Sequence, residues 1–288
     1  MRDISSYASG KSSNGGTKSH SIKETKVIHG QIKPLFGTPL SRTSIFGPAG
    51  GLVAQYLMNE GCGDLIHDSC GMNDGKMIGM APMSPTSGWV PGPHGAALAF
   101  LGANGYVDCG NPISIKKITG ALTIIAWINT RNSAVRQSIV HYSQTGFQFC
   151  ISGNTQYKLA GYIWNVAPGW LESSKSISDN TLYQVAMTYD LAQGKLFING
   201  TQDALAGWSG LNTSVNVGFG IGARTTPLDF YFNGLISSVS IYNRALSAQE
   251  IAYLYAFPWC MYDSPMSAWE YSQQNRNFDH YYRRLMAA

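Results

Sequence analysis

Cleaving a glycosidic bond with retention takes two carboxylates about 5 Å apart, which on a strand means acidic residues at alternate positions. The chain has five glutamates, Glu24, Glu60, Glu172, Glu250 and Glu270, and none lies within four residues of another. Nucleophile-elbow, zinc-helix and phosphate-loop patterns are missing from the sequence as well. A hydrolytic enzyme is therefore disfavoured, and no catalytic residue is assigned.

Binding chemistry has better candidates. Calcium needs several oxygen ligands converging from loops, and the turn-rich GCGDLIHDSCGMNDG offers Asp68, Asn73 and Asp74. The competing reading makes Asp68 and Asn73 turn-stabilising side chains. Sugars stack on exposed aromatic plates: Trp164 and Trp170 bracket NVAPG, Trp208 lies in the turn GWSG, and Trp89 sits in a Gly/Pro loop. Trp127, inside ALTIIAWIN, reads as a sheet-packing residue. The six histidines are scattered without metal spacing. The five cysteines are odd in number and form no CxxC pair. Cys62 and Cys70 either bridge a turn or stay free thiols in a reducing compartment.

Charged residues are only 12% of the chain, against 32 glycines and 12% aromatics, a composition that suits short strands and tight turns. Eleven segments read as strands: 51–59, 96–102, 106–110, 121–129, 137–143, 146–153, 158–164, 183–190, 195–200, 217–223 and 236–243. Most are bounded by Gly, Asn, Asp or Pro. Strands spaced by turns with no helices between them predict an all-β sandwich. One helix is expected near the end, where Ser247 caps SAQEIAYLYA and Glu250 completes a capping box.

These segments resemble a known family. GLVAQYLMNEG and HDSCGMNDGKMIG, then ALAFLGANGYVDCG, ALTIIAWINT, YQVAMTYD with GKLFINGTQDA, and FNGLISSVSIYNRALSAQEIAYLY follow one another as in the laminin G-like branch of the concanavalin A-like lectin/glucanase superfamily. The likeness covers about residues 51–257, and the closing NRALSAQEIAYLY is its most specific piece. It implies a two-sheet jelly roll. Relatives that hydrolyse glucans carry a Glu-x-Asp-x-(x)-Glu strand, which this chain lacks. Where relatives that bind calcium read F-D-G-x-D-D-Y, this chain has Phe100 to Tyr106 as FLGANGY, without the acidic residues.

The chain divides into a basic arm (1–48), the jelly-roll body (49–257) and an aromatic-rich tail (258–288). The net charge is +4, and the arm alone holds seven Lys or Arg against two acidic residues. Such a segment orders only when its own domain or a neighbouring chain holds it. Lys11, Lys18, Lys23, Lys26 and Lys33 in the arm, with Trp259, Trp269, Tyr281 and Tyr282 in the tail, are the expected partner-anchoring residues. The wide lysine spacing argues against a dedicated nucleic-acid site, and no apolar run reaches membrane-spanning length. No signal peptide is legible, so cytoplasmic synthesis is expected. Together these features lead to an expected non-enzymatic structural or display role at a virion surface, as a capsid decoration or fibre-associated subunit contacting capsid or tail proteins or its own copies. The alternative is a carbohydrate-binding, lectin-like module recognising surface glycans. No cofactor is expected beyond candidate calcium.

Overall fold

In the computed structural model the described residues are 49–81, 87–93, 95–142, 146–210, 218–258 and 260. In chain order the strands are β1 (Leu52–Tyr56), β2 (Leu65–Ile66), β3 (Gly75–Ile78), β4 (Gly88–Gly92), β5 (Gly95–Leu101), β6 (Tyr106–Asp108), β7 (Leu122–Thr130), β8 (Gln137–Tyr142) and β9 (Phe147–Ile151). They continue with β10 (Lys158–Ile163), β11 (Leu171–Ser176), β12 (Leu182–Tyr189), β13 (Gln193–Ile198), β14 (Thr201–Gly207), β15 (Phe219–Ile221), β16 (Arg224–Thr225), β17 (Leu228–Asp229) and β18 (Asn233–Tyr242). Two helices complete the set, α1 (Ile113–Lys116) and α2 (Ala248–Ala256).

All pairings are antiparallel. One sheet runs β14-β13-β12-β7-β18-β5-β4 with β1 also on β18; the second runs β11-β10-β9-β8-β15-β6-β3-β2; β16 and β17 form a separate hairpin. This is the jelly-roll sandwich. Each of the eleven expected strand segments overlaps one of these strands. Four of the strands the sequence did not announce, β14, β4, β11 and β2, are the outer strands of the two sheets. β14, β4 and β11 carry the polar, Gly- and Pro-containing sequences that edges tolerate, and β2 is only two residues long. The one-turn helix α1 was also unexpected.

Side chains alternate across each strand, so the inner faces supply the core. Phe100, Phe147, Phe149, Phe219, Phe232, Tyr56, Tyr142 and Tyr189 are fully buried there. Tyr56 stacks on Phe219 at 6.2 Å, and Phe100 meets Phe232 edge-on at 6.0 Å. Each such side chain contributes roughly 1.5–3 kcal/mol by leaving water.

The outer face of the first sheet carries a second apolar layer. Ile251 and Leu254 of α2 pack there with Ile125, Ala186, Phe197 and Tyr242. Trp127 stacks on Tyr255 at 5.7 Å, as a sheet-packing residue would. The helix begins as expected: Ser247 accepts from the Glu250 backbone N–H, and the Glu250 carboxylate accepts from Ser247 N at 2.9 Å. Burial pushes that carboxyl's pKa up, but hydrogen bonds from Arg244 and Ser247 outweigh it and hold it below the usual range.

Candidate functional site

The outer face of the second sheet is different. Cross-strand register places Tyr162, Gln148, His141, Gly220, Asp108 and Lys76 in one row across β10, β9, β8, β15, β6 and β3. The neighbouring row holds Ala160, Cys150 and Ser138. The paired core-facing residues between these rows, such as Phe149 with Gly161 and Val140, point the other way.

Above this floor stands a collar of half-buried side chains. Tyr162 lies 4.6 Å from Trp164 and 5.0 Å from Trp170. The Arg136 guanidinium sits 5.0 Å from both the Trp170 and the Phe230 rings. Arg224 covers Phe230 at 4.3 Å and is bonded through both nitrogens to Asp229. The β16–β17 hairpin brings in Arg224 and Thr225, because Gly220 leaves the space that Thr225 fills: a Cβ there would stand 2.4 Å from Thr225 Cγ2. Trp164 closes the collar, meeting the His141 ring edge-on at 6.3 Å.

The floor has an unusual polarity. His141, Gln148 and Ser138 are 0%, 1% and 0% exposed. Among the described residues, His141 Nε2, Gln148 Nε2 and Ser138 Oγ belong to the few buried side-chain polar atoms with no hydrogen-bond partner. The His141 tautomer follows from its other nitrogen. Thr225 N–H donates to Nδ1 at 3.2 Å, while the Thr225 hydroxyl donates to Gly218 O at 2.7 Å. Burial, reinforced by Arg224, lowers the imidazole pKa to about 3, so the ring is neutral and Nε2 carries the hydrogen. Leaving such buried groups unpaired costs roughly 1–3 kcal/mol each, an expense that concentrates at functional sites.

Of the stacking candidates, the structure unites Trp164 and Trp170 through Tyr162 and separates Trp208. Trp208 is fully buried, packed edge-on against Tyr189 at 6.0 Å, and so offers no face to a ligand. The turn after β14 tucks it inward over Gly194, where a Cβ would come 2.4 Å from the indole. Sequence reading passed over Tyr162, Arg136, Phe230, His141 and Gln148. The available signal was a lone polar residue inside an apolar strand, Gln148 between Phe147 and Phe149, and His141 between Val140 and Tyr142.

The calcium candidates form a loop lock. Asp68 Oδ1 accepts from Gln55 N (2.8 Å) and Cys70 N (2.9 Å), and its Oδ2 accepts from Asn73 Nδ2 (2.7 Å) and Met72 N (3.3 Å). Asp74 accepts from Asp68 N at 2.8 Å, and Asn73 Oδ1 accepts from the Ser114 hydroxyl. Four N–H groups converge on Asp68 where a cation would need bare oxygens. Among the described residues, no cluster of three or more His, Cys, Asp or Glu is placed to hold a metal.

The three described glutamates each serve a local bond. Glu60 accepts from His67 N at 2.8 Å, and its pKa is raised by burial. Glu172 accepts from Asn154 N, Thr155 N and the Thr155 hydroxyl, and Glu250 caps α2. All five cysteines are free thiols, Cys62 and Cys70 included. The anchoring candidates Lys11, Lys18, Lys23, Lys26, Lys33, Trp259, Trp269, Tyr281 and Tyr282 lie outside the described residues.

A laminin G-type family model described as concanavalin A-like lectin/glucanases superfamily matches residues 101–252, just over half of the chain. The chain belongs to that superfamily. No curated protein matches it. Among solved structures, domain 4 of an extracellular arabinanase from Geobacillus stearothermophilus, in complex with arabinotriose, superposes with a TM-score of 0.55 at 18% identity, over 70% of this chain and 97% of that one. The binding domain of Paraclostridial Mosquitocidal Protein 1 gives 0.55 at 16% identity, over 75% and 56%. The receptor-binding domain of a botulinum neurotoxin C/D mosaic gives 0.52 at 14%, over 72% and 51%. The chain thus spans about half of each toxin fragment, and at these identities the likeness is one of fold.

Proposed function

We propose that the chain is a carbohydrate-binding, lectin-like module without hydrolytic activity, and that the collar around Tyr162, Trp164 and Trp170 is its glycan contact surface. The observation that carries this reading is the convergence of three half-exposed rings beside unpaired buried polar groups on one sheet face. Sugar rings present apolar C–H faces to stack and hydroxyls to hydrogen-bond, and few sites offer both together. Membership of a lectin superfamily supports it. So does the fold shared with an arabinanase domain solved with arabinotriose. Among the described residues, the engagement of Glu172 and Glu250 in local bonds supports the absence of hydrolysis.

A glycan array tests the proposal. Wild type retains at least one glycan class, and Trp164→Ala and Trp170→Ala each weaken it by about tenfold or more with melting temperature within a few degrees. Retention unaffected by either change, or release of reducing sugar from the retained glycan, overturns the reading. The virion display role rests on the composition of the arm and tail, and neither the described residues nor the comparisons support it.

A further inference from the structure

From the donors beneath the collar we infer that the site selects an acidic glycan, one whose sugar ring carries a carboxylate. This deepens the carbohydrate reading and rests on it. Three observations converge. His141 Nε2–H and the Gln148 side-chain amide are buried cross-strand neighbours with donors unused, and the unpaired Ser138 hydroxyl lies in the adjoining row. Both nitrogens are donors only, so they ask for an acceptor, and a carboxylate supplies two oxygens with about four acceptor positions.

The charge around them points the same way. Arg224 is neutralised by Asp229. Arg136 makes no such ion pair: it donates to the Ser152 and Gly153 carbonyls, and the Glu172 carboxylate, whose pKa it helps to lower, acts on it through space without ion-pair contact. Arg136 precedes Ser138 by two residues and so stands on the same side of the strand. A guanidinium whose hydrogen bonds go to neutral carbonyls, beside unsatisfied N–H donors, favours an anion over a neutral hydroxyl. The half-buried aromatic rings beside it favour a carboxylate borne on a sugar over a free inorganic anion.

The floor atoms are covered, and Trp164 is the collar member in edge contact with His141. An entering carboxylate therefore displaces the Trp164 indole, giving a fluorescence signal on binding.

The test is a titration of the full chain, followed by calorimetry and tryptophan fluorescence, with two matched pairs. Trigalacturonic acid is set against its carboxyl-reduced form, and sialyllactose against lactose; the pairs distinguish a uronate from a sialate. The inference predicts that one acidic member binds at least about tenfold tighter than its neutral partner, equivalent to about 1.4 kcal/mol. It further predicts that Arg136→Gln and, separately, Gln148→Leu each remove most of that preference. Equal binding of acidic and neutral members overturns the inference and leaves the carbohydrate reading standing. A preference that survives both substitutions overturns the assignment of these residues. If no member of either pair binds, the acidic selectivity fails, and the neutral glycans of the array decide the broader reading.

Discussion

Trp164 and Trp208 look alike in sequence, each in a short Gly-containing connection, yet only Trp164 reaches a surface. What separates them is which way the chain leaves its strand. Trp164 continues the alternation of β10 from Tyr162, two residues earlier, and both fall outward. Trp208 follows β14, an edge strand, and turns under Gly194 into the core. Trp208→Ala is expected to destabilise the fold by about 3–5 kcal/mol, read as a fall in the urea midpoint, while leaving glycan affinity unchanged once folded. The pair Trp164–Trp170 was legible because both flank one loop. His141 and Gln148 were not, since a polar residue in a strand gives no sign of whether a neighbour satisfies it. His141 also sets a pH signature. Its folded pKa is lowered to about 3 against 6.5, so the unfolded chain takes up the proton first as pH falls. Stability is fully present above about pH 6.5 and declines toward pH 3, by up to about 1.4 kcal/mol per unit from this group. Urea unfolding across that range should show the slope, and His141→Gln should flatten it; a wild-type curve without the slope would place a charged imidazole in the folded state.

At the scale of elements, most central strands announced themselves and the outer strands did not, and β3, interior to its sheet, was missed as well. β7, β8, β9, β12 and β18 are runs of apolar and β-branched residues, whereas β11 (LESSKS) and β14 (TQDALAG) read as loops by composition. Each pairs with the strand just before it, β11 with β10 and β14 with β13, and Asp203 of β14 accepts from Ser174 N and Lys175 N of β11, joining the two sheets at that side. The β16–β17 hairpin escaped notice because its seat is a missing side chain. Gly220→Ala places a methyl where Thr225 Cγ2 lies, and such overpacking typically costs 1–3 kcal/mol. Lifting the hairpin removes Thr225 from His141 and Arg224 from Phe230. The variant is expected to melt a few degrees lower and to bind glycan several-fold more weakly. Unchanged affinity would show that the hairpin is not part of the site.

The described residues form a sandwich with two differently used outer faces. One is covered by α2 and its apolar layer; the other carries the collar and its unpaired floor. Every core residue named here lies between Leu52 and Leu254, so a chain trimmed to residues 49–260 is expected to keep its melting temperature within a few degrees and its glycan affinity within about twofold. A trimmed chain that fails to fold would assign the arm or tail a share of the core. The most direct measurement of the central claim is a heteronuclear NMR titration that follows the indole N–H signals of the seven tryptophans as a glycan retained by the array is added. The Trp164 and Trp170 signals are expected to move with a common affinity while those of Trp127 and Trp208 stay in place. Movement of other indoles with Trp164 and Trp170 unmoved would contradict that claim, and would put the binding surface elsewhere on the molecule.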